Sequence, residues 1–185
     1  MTITMPIPGK LRLIRDDELG LMLSWRNHSS IRSKMFTRHE IAFEEHLRWW
    51  EKIHNSTDQH YFMYENAGRA LGIIAFNGID TVNAHAFWAF YAAPDAPRGT
   101  GSYMWFHALE HAFGLLALHK VSGEVLDINE TVINMHLKFG FSPEGIFRAQ
   151  HKYDGSFIAI HRFGILAEEW QQQRQIMLTK LGGKE

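Results

Sequence analysis

The sequence predicts an α/β (α+β) domain built on a mixed, mostly antiparallel sheet. Three observations lead there: hairpin-joined β runs in the first half, a β-loop-α-β-α unit after residue 84, and 45% hydrophobic and 13% aromatic residues in a chain of 185. Consecutive hairpins give antiparallel pairs, and a crossover helix delivers a parallel one. That length suits one domain, 1–185, with a single buried core.

Leu11 to Ile14 reads as a short strand, and Asp16 or Asp17 is placed to cap a helix through Leu19, Leu21, Met22 and Trp25 that ends near Asn27. His28 to Glu40 reads as an irregular polar segment. A second helix begins after Ile41 and carries Phe43, Leu47, Trp49, Trp50 and Ile53. Gln59 to Glu65 and Ala70 to Asn77 are β-rich and separated by Asn66-Ala-Gly68, a hairpin signal; Ala84 to Ala93 is a third long strand. A helix from Ser102 to Leu116, a strand from Lys120 to Leu126 and a helix from Glu130 to Phe139 follow. Phe141 to Lys152 and Ser156 to Leu166 form a hairpin around Asp154-Gly155, and Ala167 to Leu178 a terminal helix.

Charge and cysteine content narrow the function. A net charge of −1 with no basic run gives no footprint for nucleic acid or an anionic membrane surface. With no Cys there is no disulfide framework and no thiolate nucleophile, which fits a cytoplasmic setting. Met-Thr-Ile-Thr-Met-Pro-Ile-Pro-Gly lacks the features of a signal peptide, and no stretch reaches the roughly 20 apolar residues of a membrane span.

The most informative segment is Asp95-Ala-Pro-Arg-Gly-Thr-Gly101, between a strand and a helix. Gly99 and Gly101 let the backbone turn tightly and aim N–H groups at an anion, and the helix adds the positive end of its dipole. Arg98, Thr100 and Ser102 complete this candidate pyrophosphate loop. Farther along, Asn129 caps a helix that runs into Gly140-Phe141. Together these segments resemble the acetyl-CoA-binding half of the GNAT N-acetyltransferases. The loop matches the family pattern Q/R-x-x-G-x-G/A except at Ala96, and His136 stands where relatives often carry a Tyr. A narrower resemblance, carried by Ser24 to Phe36, His46-Leu-Arg-Trp-Trp50, Phe90-Tyr91 and Gly155 to Leu166, is to the PseH acetyltransferases of pseudaminic acid biosynthesis.

The resemblance implies a sheet of about seven strands flanked by helices and splayed between the fourth and fifth. It implies acetyl transfer from acetyl-CoA, without metal, to the 4-amino group of a UDP-linked 4,6-dideoxy amino sugar, by a monomer or homodimer. A protein N-terminus or another small amine is the alternative acceptor. Backbone amides around Ala92 and Ala93 would polarise the thioester, and Asn129 would contact the CoA arm. Glu124, inside a strand between apolar neighbours, is the expected general base or simply an ion-paired sheet residue. His136 is either an imidazolium acid for the leaving thiolate or a packed side chain. Arg26 either complements a helix end or meets a substrate diphosphate, with His46 as a second donor. Met35, Phe36 and Trp49 are core residues or walls for a flat ring, Phe87 and Tyr91 share one face of their strand, and Asn77 is assigned to the acceptor side.

Two readings compete from outside this class. His107-Ala-Leu-Glu110-His111 has the spacing of an inverted zinc-peptidase motif. A noncatalytic acetyl-CoA sensor would bind the thioester without turnover.

Overall fold

The computed structural model describes residues 7–182, so most of the N-terminal segment inspected for a leader lies outside it. Seven strands form one sheet in the order β1-β2-β3-β4-β5-β7-β6: β1 Lys10–Leu13, β2 Gln59–Asn66, β3 Arg69–Asp80, β4 His85–Ala92, β5 Lys120–Leu126, β6 Ser142–Tyr153 and β7 Ser156–Leu166. Every neighbouring pair is antiparallel except β4 and β5, because the β4–β5 connection is the crossover helix predicted from the sequence. The expected mixed sheet is therefore present.

The apolar run Leu71 to Phe76 is continuous because β3 is covered on both faces. Successive side chains alternate sides. Ile74 and Phe76 face a large cluster with α4 (Thr100–Glu110) and α6 (Ala167–Gly182), which adds Met104, Trp105, Leu109, Trp170 and Met177. Met63 and Ile73 face the other way, onto Leu19, Met22 and Trp25 of α1 (Leu19–Asn27) and Ile31 of α2 (Ser29–Arg32), with Trp49 and Trp50 of α3 (Phe43–Ile53) alongside. The remaining helix, α5 (Glu130–Lys138), rests on the α4 side through Val132, Ile133 and Met135.

Several boundaries differ from the sequence reading. Glu18, not Asp16 or Asp17, stands at the N-cap of the first helix without a side-chain cap bond: its carboxylate accepts instead from the Arg15 amide at 3.0 Å and from the two terminal Arg12 nitrogens at 2.7 Å. The polar segment after Asn27 contains the one-turn α2, and α4 starts at Thr100 rather than Ser102. The helix does run on to about Leu116, but its last turn, His111–Leu115, is a wider π turn closed by the Leu116 amide on the His111 carbonyl at 3.0 Å, before Ala117 takes a left-handed φ of 49°. The terminal helix reaches Gly182 because Met177 and Leu181 share with Trp170 the face that packs on α4 and the sheet.

The zinc-like motif is consumed by packing. Glu110 accepts from the Trp170 indole at 3.0 Å and from Arg174 at 2.7 and 2.8 Å, tying α4 to α6. His107 Nε2 bonds the Pro8 carbonyl at 2.9 Å, and His111 lies 4.4 Å from the Phe62 ring. Among the described residues no three His, Cys, Asp or Glu side chains converge as metal ligands. We therefore expect Glu110→Ala to lower stability by about 1–3 kcal/mol, the cost of leaving the buried Trp170 N–H unpaired. Chemical denaturation measures it, and acetylation per folded molecule should be unchanged.

Candidate active site

The site begins where β4 and β5 part. Their parallel pairing covers only His85↔Lys120, Ala86↔Val121 and Phe87↔Ser122, so Trp88 to Ala92 and Gly123 to Leu126 diverge. On the other edge of β4 the Ala93 amide donates to the Leu71 carbonyl at 2.8 Å. Antiparallel alternation then turns the amides of Tyr91 and Ala93 toward β3 and those of Phe90 and Ala92 toward the gap. This corrects one expectation. Ala92 can present a donor to a thioester, Ala93 cannot, and Phe90, which the sequence reading did not assign, takes its place.

The cleft at the gap holds about 300 Å³ and is lined by Phe36, Trp88, Ala92, Glu124, Asn129 and His136, among others. Glu124 is partly buried, and its Oε1 accepts from Arg162 at 2.9 Å. Thus it is ion-paired, not isolated in an apolar pocket. Asn129 begins α5 but makes no side-chain cap bond. Its amide is left free to face the cleft.

His136 departs from the expectation of a charged acid. It is 2% exposed, stacked at 4.7 Å on Phe163 and edge-on to Trp105, and burial lowers its pKa to about 4. Nδ1 lies 2.8 Å from the Val132 carbonyl, which makes it the protonated nitrogen and leaves Nε2 an unpartnered acceptor. The imidazole is neutral near pH 7, so no imidazolium fraction is available for the leaving thiolate.

A second cavity of about 330 Å³ opens between α1, α3 and the sheet. Arg26, His46, Trp49 and Tyr91 line it, and Met35, Ala89, Phe90 and Tyr91 are shared with the gap, making one continuous cleft. Its walls are mainly apolar, yet three buried polar atoms there have no partner: one Arg26 guanidinium nitrogen, His46 Nε2 and the Tyr91 hydroxyl. The other Arg26 terminal nitrogen donates to the Thr37 carbonyl at 2.7 Å. Burial lowers the Arg26 pKa from its ordinary value, and burial together with the Arg26 charge lowers that of His46. His46 stacks on Trp49 at 5.1 Å, and Trp49 meets Tyr61 edge-on at the same distance. Asn77 stands behind this wall, its oxygen accepting from the Tyr61 hydroxyl at 3.0 Å. Phe87 lies outside both cavities, under the Arg162 guanidinium at 4.2 Å.

The glycine loop approaches from the other end. Gly99 has φ +97° and caps α4, whereas a Cβ on Gly101 would meet only the Met135 methyl at 3.5 Å. The Thr100 and Ser102 amides are spent within the turn, on Pro97 and Gly99, while those of Gly99 and Gly101 have no acceptor among the described residues. Arg98 flanks them as an exposed side chain. Free amides at the N-terminus of an 11-residue helix suit a phosphate.

This geometry is accompanied by clear relationships. The profile of the acetyltransferase (GNAT) domain family matches residues 11–161. The chain belongs to the GNAT acetyltransferase family. It is thus an acetyl-CoA-dependent N-acetyltransferase. It is 29% identical to the acetyltransferase PseH of Campylobacter jejuni over 129 residues, covering 70% of this chain and 80% of that protein. It is 22% identical to the spermidine N(1)-acetyltransferase of Vibrio cholerae, covering 86% and 94%. The fold is also similar to the crystal structure of spermidine N-acetyltransferase from Vibrio cholerae in complex with CoA and spermine, with a TM-score of 0.83 and 22% identity over 89% of this chain and 98% of that one.

Two predictions follow from the buried imidazole and the loop. His136 has a folded pKa of about 4 against 6.5 unfolded, so below pH 6.5 only the unfolded chain gains its proton. Stability should fall as pH drops from 6.5 to 4, by ~3 kcal/mol at most from this group, and thermal melts of His136→Phe should show a shallower acid slope. Gly99→Val should strain the left-handed cap by about 1–2 kcal/mol as well as weakening CoA binding. Gly101→Val should leave the melting temperature nearer the parent's and weaken CoA binding selectively, as read by calorimetric titration with CoA.

Proposed function

We propose that this enzyme acetylates the 4-amino group of a UDP-linked 4,6-dideoxy amino sugar. What supports the reading is the cation in the acceptor cavity. Arg26 is partly desolvated and has no carboxylate partner among the described residues, so an arriving anion would regain what burial costs it. A diphosphate meets that need. His46 can gain a proton when the anion arrives and act as a second donor, since both influences that hold it neutral, burial and the Arg26 charge, are offset by the ligand's charge. Trp49, Met35 and Phe36 supply flat apolar walls suited to a uracil ring.

A polyamine would bring positive charge to the same cavity. Glu45 is the one carboxylate on its lining, already 3.0 Å from His39 Nε2, and Arg26 would repel the ligand. The charge balance therefore favours an anionic acceptor over spermidine or a cationic peptide N-terminus.

Transfer is direct. The free amine attacks the thioester carbon in the gap, the amides of Phe90 and Ala92 stabilise the oxyanion, and the C–S bond breaks to release the thiolate. The amine's proton passes to Glu124, directly or through one water; Oε2 accepts no other bond among the described residues. His136 shapes the pocket without donating a proton. The glycine loop holds the pyrophosphate of CoA.

The deciding experiment is thiol release from acetyl-CoA with a panel of a UDP-4-amino-4,6-dideoxy sugar, spermidine and peptides with free N-termini. The nucleotide sugar should be the fastest acceptor. In Arg26→Gln its KM should rise about 10- to 100-fold, from ~1.5–3 kcal/mol per charged hydrogen bond, with acetyl-CoA KM unchanged. Faster turnover of spermidine, or a polyamine KM that improves no further when Arg26 is neutralised, would refute the reading.

A further inference from the structure

The fork between β4 and β5 is crossed by one side chain that belongs to neither strand. Arg162 stands on β7 directly opposite Glu124 of β5. Its guanidinium donates to Glu124 Oε1 at 2.9 Å and sits over the Phe87 ring of β4, its carbon 4.2 Å from the centroid. Phe87 is the last residue of β4 to pair with β5. Behind the guanidinium, Glu144 of β6 approaches Arg162 Nε at 3.8 Å and is itself neutralised by Lys120 of β5. The four charges alternate along a row, Glu124, Arg162, Glu144, Lys120, and only Glu124 reaches the cleft that holds the thioester in the proposed reaction.

We propose that Arg162 is the positioning residue for Glu124: clamped on Phe87 at the root of the fork, it fixes one carboxylate oxygen and leaves the other for the acceptor's proton. This rests on the reading of Glu124 as the base. A planar guanidinium is required because the same group must stack on an aromatic face and donate in its own plane, which an ammonium cannot do. Stacking also limits how far the ion pair can swing. The other charged or titratable groups bordering the cleft leave this role to Arg162. Lys34 Nζ is bound to the Ile128 carbonyl at 3.0 Å, and His136 is neutral.

The test is a double-mutant cycle read as kcat and KM. Glu124→Gln should lower kcat by about 10²–10⁴-fold. Arg162→Gln should lower kcat by roughly 10-fold or more, because the released carboxylate no longer holds its free oxygen toward the acceptor. Acetyl-CoA KM should stay within about two-fold, as expected of a residue that acts on a carboxylate rather than on CoA binding. Arg162→Lys should restore only part of kcat, and Phe87→Leu, which removes the stack and keeps the charge, should lower kcat with acetyl-CoA KM unchanged. In the double variant Arg162→Gln should add almost nothing to Glu124→Gln. A parental kcat in Arg162→Gln, or effects that multiply in the double variant, overturns the positioning role while leaving Glu124 as the base. A parental rate in Glu124→Gln overturns the base assignment and this proposal together.

Discussion

Everything catalytic in this molecule depends on a sheet that stops pairing partway. Parallel strands are joined by evenly spaced hydrogen bonds, and each unpaired amide buried away from water costs about 1–3 kcal/mol. After Phe87 and Ser122 the β4 and β5 edges forgo those bonds. The gap stays open because both walls are held by other partners: β4 remains paired with β3 through Ala92, and β5 with β7 through Leu126. Between them a dense aromatic group occupies the floor, with Trp88, Trp105, His136, Phe141 and Phe163 in mutual contact. Gly123 permits it, since a Cβ there would stand 2.7 Å from His136 Nε2 and 2.8 Å from Trp88 Nε1.

Charge is divided between the two ends of the cleft. In the cavity beside α1 and α3 the Arg26 guanidinium has no carboxylate partner among the described residues, and at the fork Glu124 is paired within a row of alternating charges. The first arrangement favours a ligand that brings negative charge. The second pairs Glu124 with a cation at the edge of the cleft.

The tail of α5 links these features to the core. Phe141 N–H bonds the His136 carbonyl at 3.0 Å and Gly140 N–H bonds that of Leu137 at 3.1 Å, with Gly140 at φ +85°. This is the Schellman pattern of helix termination. It turns the chain so that Phe141 folds back against Trp88 and Trp105, fixing the helix that carries His136 and Asn129 to the cleft.

The sequence by itself determined whatever local chemistry dictates: hairpins at Asn66-Ala-Gly68 and Asp154-Gly155, the β-loop-α-β-α crossover, the left-handed cap at Gly99 and the Gly140-Phe141 stop all lie within a few residues of the groups that cause them. It also singled out residues that the fold brings together, since Arg26, His46, Trp49 and Tyr91 line one cavity. Tertiary structure decided the rest. Whether His136 is charged depends on Phe163, Trp105 and Phe141 packing around it, and which β4 amides are free depends on the register with β3; neither is encoded in a residue's own neighbours. Arg162, 38 positions from Glu124, gave no local signal at all. Burial and register are properties of contacts between distant segments, so they set protonation states and free hydrogen bonds only once the chain has closed on itself.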